Sequence, residues 1–192
     1  MNIDGVLPFT RFLLEKAVSD GGVAIDATSG NGHDTLFLAK LVGPAGKVYS
    51  IDIQKAAILA TKDRLLAATK QNLAGRVQLI QDSHEQVLSY LEGGQTVNGA
   101  VFNLGYLPGS DKTITTTPQS TITAVKNIFS VLEPEGIIVL VVYHGHDEGK
   151  VERDALLEFV RKLPQEEAHV LEYRFTNQRN SPPFVIAVEK RA

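Results

Sequence analysis

Three aspartates and one glycine-bearing turn stand where chemistry can be done. "DATSGNGHDT", residues 26–35, follows the apolar run "VAI" and sets Gly30 and Gly32 among polar side chains. Glycine takes positive φ and lets a backbone come close to a ligand. A pyrophosphate-binding turn carries a third glycine three positions on. Here that position is Thr35, and Asn31, His33 and Asp34 crowd the turn. Asp52 closes a second apolar run, 20 residues after Gly32, where a carboxylate can accept from both hydroxyls of a ribose. Asp82 closes a third in "LIQDSHE" and can accept from an adenine amino group. Three of these acids also have plainer readings: Asp26 as a strand end, Asp34 as a helix cap, Asp82 as partner to the helix begun at Ser83. Three acids in register with a glycine turn favour a nucleoside ligand.

Such residues meet only if parallel strands carry them to one edge. Strand-like runs at 23–27, 47–51, 76–80, 98–104 and 137–143 alternate with helix-like stretches at 34–41, 54–70, 85–91, 118–132 and 150–163, and a further helix is predicted over 8–18. Pro118 is suited to a first helical turn, and "VGPAGK" and "EPEG" read as turns. "GIIVLVV" fits a strand buried on both faces. The rhythm predicts an α/β fold with helices on both faces of a mostly parallel sheet. The last two strands, 168–175 and 184–190, have only "TNQRNSPP" and its flanks between them, so they pair as a hairpin and one runs antiparallel. Five parallel strands followed by such a hairpin is the class I, Rossmann-like arrangement of S-adenosylmethionine (SAM)-dependent methyltransferases. A dinucleotide dehydrogenase would end on a sixth parallel strand. The expected ligand is therefore SAM, with Asp26 reaching its ammonium, and the expected organisation is a single domain over 1–192.

Composition bounds the rest. With 43% hydrophobic and 21% charged residues the chain reads as an ordinary globular protein. No apolar run approaches the roughly 18 residues of a membrane span. The first residues lack the basic start and small-residue cleavage site of a signal peptide, and a cytoplasmic location is expected. The absence of cysteine excludes disulfides, thiolate metal sites and a cysteine nucleophile. No metal is expected, since histidines are not spaced as ligands. A net charge of −3 argues against broad nucleic-acid binding but leaves room for a local basic surface, for which Arg11, Lys112, Arg174, Arg179 and Lys190 are candidates.

The fourth strand ends "VFNLGYLPGSDKTITTTP". An amine attacking a methyl group must have its N–H groups held by acceptors so that its lone pair is aimed. Asn103 offers an amide oxygen for this and Tyr106 an aromatic face for the substrate's plane. They stand at the spacing of the Asn-Pro-Pro-Tyr motif of amino methyltransferases, with Leu104-Gly105 in place of the prolines. Catalysis there is orientation and desolvation. Asn103 bonding its own turn, with Tyr106 in the core, is the plainer alternative. His144 or His146 near the fifth strand's end can accept a proton.

"DATSGNGHDTLFLA", "NLGYLPGSDKTITTTPQSTITA", "VYHGHDEGKVE" and "QRNSPPFVIAVEK" resemble, over essentially the whole chain, the family once labelled putative rRNA methylases. That family contains the MnmM-type tRNA wobble-uridine 5-aminomethyl N-methyltransferases. The resemblance implies methyl transfer from SAM to the primary amine of 5-aminomethyl-(2-thio)uridine in a tRNA anticodon stem-loop. It places the cofactor on Asp26, Thr28, Ser29, Gly30, Asn31, Gly32 and Asp34, on Asp52 with Gln54, and on Asp82, Ser83 and His84. The reacting end falls on Asn103 and Tyr106, with Lys112, His146 and Arg179 toward the substrate. The alternatives are methylation of rRNA or of a small amine, or a SAM-binding module without catalysis. A homodimer would extend the surface open to RNA.

Overall fold

In the computed structural model, which describes residues 2–68, 72–105 and 115–192, strands and helices alternate as expected. The chain runs α1 (Val6–Ala17), β1 (Val23–Asp26), α2 (His33–Leu41), β2 (Lys47–Asp52), α3 (Lys55–Ala67), β3 (Val77–Gln81), β4 (Val97–Leu104), α4 (Pro118–Val131), β5 (Leu132–Val142), α5 (Asp147–Arg161), β6 (Ala168–Tyr173) and β7 (Phe184–Lys190). The seven strands lie in the order β3-β2-β1-β4-β5-β7-β6. Neighbours are parallel from β3 to β5, and β7 is antiparallel to both β5 and β6. This is the class I methyltransferase fold, mostly parallel and closed by the predicted hairpin.

Side chains along the central strands alternate between two cores. Ile25, Phe102, Ile138 and Leu140 face one layer, with Val125 and Ile128 of α4 and Leu156 of α5. Ala24, Val101, Ile137 and Val139 face the other, with Leu14 of α1 and Leu38 of α2. Burying each large apolar side chain contributes about 1.5–3 kcal/mol, so β4 and β5, apolar on both faces, anchor the sheet. Pro118 does open α4, after Thr117, whose hydroxyl accepts from the Ser120 N–H.

Two expectations change. "EPEG" does not precede β5 but lies within it: Val97 pairs with Leu132 and Gly99 with Ile137, so the extra residues on β5 form an irregularity, with Glu135 at φ 64°. The stretch expected as a short helix at 85–91 is a run of tight 3₁₀ turns, His84–Tyr90. There the Gln86 N–H donates to the Ser83 carbonyl, and the Ser89 hydroxyl takes the Gln86 carbonyl that a continuing helix would use. The predicted end of α3 near residue 70 lies outside the described residues.

The parallel register puts the carboxyl ends of β1, β2, β3, β4 and β5 on one edge. Between β1 and α2 the chain turns sharply, and Gly32 occupies the left-handed region at φ 75°. A Cβ added there would stand 2.8 Å from the Thr61 Cα of α3. Both backbone conformation and space therefore require glycine. Gly32→Ala is expected to lower stability by roughly 1–3 kcal/mol, read as a fall of several degrees in Tm; an unchanged melting curve would contradict this packing.

Candidate active site

The turn after β1 is bound to both neighbouring strands. The Ala27 N–H donates to the Val101 carbonyl of β4, and the Ser29 N–H to the Ile51 carbonyl of β2, each at 2.9 Å. Beneath the turn, the Thr35 hydroxyl donates to Asp26 Oδ2 at 2.5 Å and lies 2.7 Å from Ser50 Oγ. Ser50 Oγ is in turn 2.6 Å from Ser29 Oγ. All four side chains are buried. Thr35 thus explains the missing third glycine. Its hydroxyl is a partner to β1 and β2 rather than a steric intrusion. Asp26 also accepts the Thr28 N–H at 3.2 Å. Burial, and then the charge of Asp34, push its pKa up to about 7, against the opposing bonds from Thr35 and Thr28.

The next two strand ends carry half-buried acids. Asp52 accepts the Gly30 N–H at 3.0 Å on one oxygen and the Gln54 N–H at 2.9 Å on the other. Asp82 accepts the Ser83 N–H at 2.7 Å and the Tyr90 hydroxyl at 2.6 Å. Each carboxylate oxygen retains a lone pair for a further donor. His84 is buried, edge-on to Phe102, with Nδ1 3.2 Å from the Ala27 carbonyl. Burial lowers its pKa. A carbonyl only accepts, so Nδ1 carries the proton and Nε2 is left as an acceptor, without a partner among the described residues.

At the end of β4 the Asn103 N–H donates to Thr28 Oγ1 at 2.7 Å, and its side-chain Nδ2 donates to Asp34 Oδ2 at 2.6 Å. Arg11 of α1 stands 3.7 Å from the other Asp34 oxygen, its guanidinium over the Phe37 ring. Tyr143, directly after β5, completes this end; burial and the Asp34 charge both raise its pKa. Behind it, buried Glu152 of α5 accepts from the hydroxyls of Thr116 at 2.6 Å and Thr121 at 2.7 Å. Burial raises its pKa against those two bonds. Thr116 Oγ1 also accepts the Gly105 N–H, so Glu152 ties β4's end to the start of α4.

The family described as "Putative rRNA methylase" matches residues 48–189. The chain belongs to this family. It is 35% identical over 181 residues to the chloroplastic tRNA (mnm(5)s(2)U34)-methyltransferase of Arabidopsis thaliana, covering 92% of this chain and 66% of that protein. It therefore spans just under two thirds of that relative's length. Among solved structures, a putative rRNA-methylase from Clostridium thermocellum superposes with a TM-score of 0.94 at 39% identity, over 99% of this chain and 100% of that one. A putative methyltransferase from Streptococcus mutans in complex with S-adenosylhomocysteine (SAH) gives 0.88 at 37%, over 98% and 99%. The family resemblance read from the sequence is thus borne out.

The structure brings Asp26, Thr28, Ser29, Gly30, Asn31, Gly32, Asp34, Asp52, Gln54, Asp82, Ser83, His84 and Asn103 to one edge. Tyr106 and Lys112 lie outside the described residues. His146 sits at the start of α5, against Gly149 and close enough to Glu152 to act on its pKa. Arg179 is exposed in the β6–β7 connection. Sequence reasoning missed Glu152, Tyr143 and the pairing of Arg11 with Asp34. Glu152, in "KVERD", has the signature of a solvated helix face. No group of three or more His, Cys, Asp and Glu among the described residues could hold a metal ion, and no helix among them is long and apolar enough to cross a membrane.

Asp26 carries a measurable sign. An acid whose pKa rises on folding from 3.8 to about 7 binds its proton more tightly in the native state. Its contribution to stability is present at low pH and is lost as pH climbs through that window. The difference in Tm between Asp26→Asn and the parent protein should shift in favour of the variant from pH 5 to pH 8. A pH-independent difference would show that Asp26 ionises normally.

Proposed function

We propose that the protein is a SAM-dependent methyltransferase acting on the primary amine of 5-aminomethyl-(2-thio)uridine at the wobble position of tRNA. The observation that carries this reading is Asn103. Its side-chain nitrogen is committed to Asp34, which leaves its amide oxygen as an acceptor at the carboxyl end of β4 beside the glycine turn. An acceptor so placed can take an N–H of a neutral amine and aim the lone pair. Orientation of this kind supplies much of the rate when the nucleophile needs no covalent activation.

The residues present fit SAM. Asp52 is half-exposed, holds the backbone of the turn and the start of α3, and keeps a lone pair on each oxygen for the ribose hydroxyls. Asp82 offers the same beside it for an adenine amine. When bound, SAM supplies a methyl group on a sulfonium. The excess of carboxylates along the edge suits such a cation. The name of the chloroplastic relative supports tRNA as the other substrate.

The reading has a direct test. tRNA from cells lacking the gene is incubated with purified protein and SAM, digested, and its nucleosides weighed by mass spectrometry. The aminomethyl nucleoside should gain one methyl group. Asn103→Ala should keep SAM affinity within a few-fold yet slow the transfer by at least ~100-fold, the loss typical of one positioned transition-state partner. Near-normal turnover in that variant would remove the amine-orienting role and bring carbon or hydroxyl methylation forward. Asp52→Ala should weaken SAM binding by about 1.5–3 kcal/mol for each charge-assisted bond lost. Unchanged affinity by calorimetry would take Asp52 out of the cofactor site.

A further inference from the structure

The amide of Asn103 has two ends of opposite character and nearly equal shape. Rotated by half a turn, it would present –NH₂ where an acceptor is needed. Something must decide between the two orientations, and the groups around it show what does. The backbone N–H of Asn103 is spent on Thr28, which places the residue but not its amide. Asp34 lies 2.6 Å from the amide nitrogen. A carboxylate can only accept, so facing it with the amide oxygen would set two acceptors against each other. Asp34 is itself held from two sides. It stands in the first turn of α2, whose start is clamped by Gly32 and Thr35, and its other oxygen faces Arg11 at 3.7 Å. Its side chain is only 15% exposed, so water competes little for the bond.

We propose that Asp34 is a positioning residue, which locks the Asn103 amide with its nitrogen toward α2 and its oxygen toward the reacting amine. This rests on the reading of Asn103 given above, and it moves Asp34 from the cofactor's contacts to the substrate side of the site. Arg11 acts one step further out, by keeping Asp34 turned toward Asn103. The arrangement also limits what can react. A hydroxyl or amine that donates to the oxygen is accepted, whereas a group that only accepts finds no donor there.

A four-member cycle tests this: the parent protein, Asp34→Asn, Asn103→Ala and the double variant. Asp34→Asn keeps the shape but can donate or accept, so it no longer selects one orientation of its neighbour. Single-turnover rates are measured at saturating SAM on tRNA from cells lacking the gene, and SAH affinity by calorimetry for all four, which also reports folding. Asp34→Asn should slow transfer about tenfold in the parent, a coupling ordinary for residues in contact. In the Asn103→Ala background the same change should cost less than about twofold, with SAH affinity little altered throughout. Losses that multiply, or a rate that falls in step with SAH affinity, would overturn the proposal and return Asp34 to the cofactor. A normal rate in Asn103→Ala alone would overturn the reading of Asn103 and this inference with it.

Discussion

The hydroxyl of Thr35 lies between two strands, donating to Asp26 at the end of β1 and meeting Ser50 within β2. Through Ser50 the contact continues to Ser29 in the turn above. None of these groups reaches water, so each needs its partner; a buried hydroxyl or carboxyl left unpaired costs about 1–3 kcal/mol. The chain of bonds therefore holds α2 at one height over the sheet. From that height follow the positive φ of Gly32, the contact with α3, and the reach of Asp34 to Asn103. An apolar residue at position 35 would fill similar space and still strip Asp26 of its side-chain donor and Ser50 of one of its two hydroxyl partners.

The same edge concentrates negative charge. Asp34 and Asp52 both act to raise the pKa of Asp26, which is the electrostatic trace of three acids crowded around one turn. Protonating the buried Asp26 relieves that crowding. A cationic ligand would be drawn to such an edge and a polyanion repelled by it. In the proposed reading such an edge suits a cofactor that carries a sulfonium.

The sequence was most legible where one physical cause dominates. The later part of β5 is apolar because both its faces are buried, and "GIIVLVV" stood out as a run. The glycine turn and the acids at Asp26, Asp52 and Asp82 were legible because strand ends place them, and parallel strands end together. Legibility failed where distant segments set a residue's surroundings. Glu152 is charged in a charged stretch, and its burial depends on Thr116 and Thr121, more than 30 residues earlier. Arg11 lies 23 positions before the acid it pairs with. "EPEG" misled for another reason: an irregularity within a strand calls for the same residues as a turn between elements.

β7 comes after β6 in the chain but lies inside it in the sheet, between β6 and β5. The order matters while the protein is being made. Until residues 184–190 leave the ribosome, β5 has an open flank and β6 has no strand to pair with among those described. Open strand edges invite pairing with other chains. A nascent chain of this protein thus carries two such edges, and one late segment closes both. A stop codon just before that segment would do more than trim the sheet: it would cast β6 loose and bare the apolar flank of β5, leaving a product suited to aggregation rather than to a smaller version of the fold.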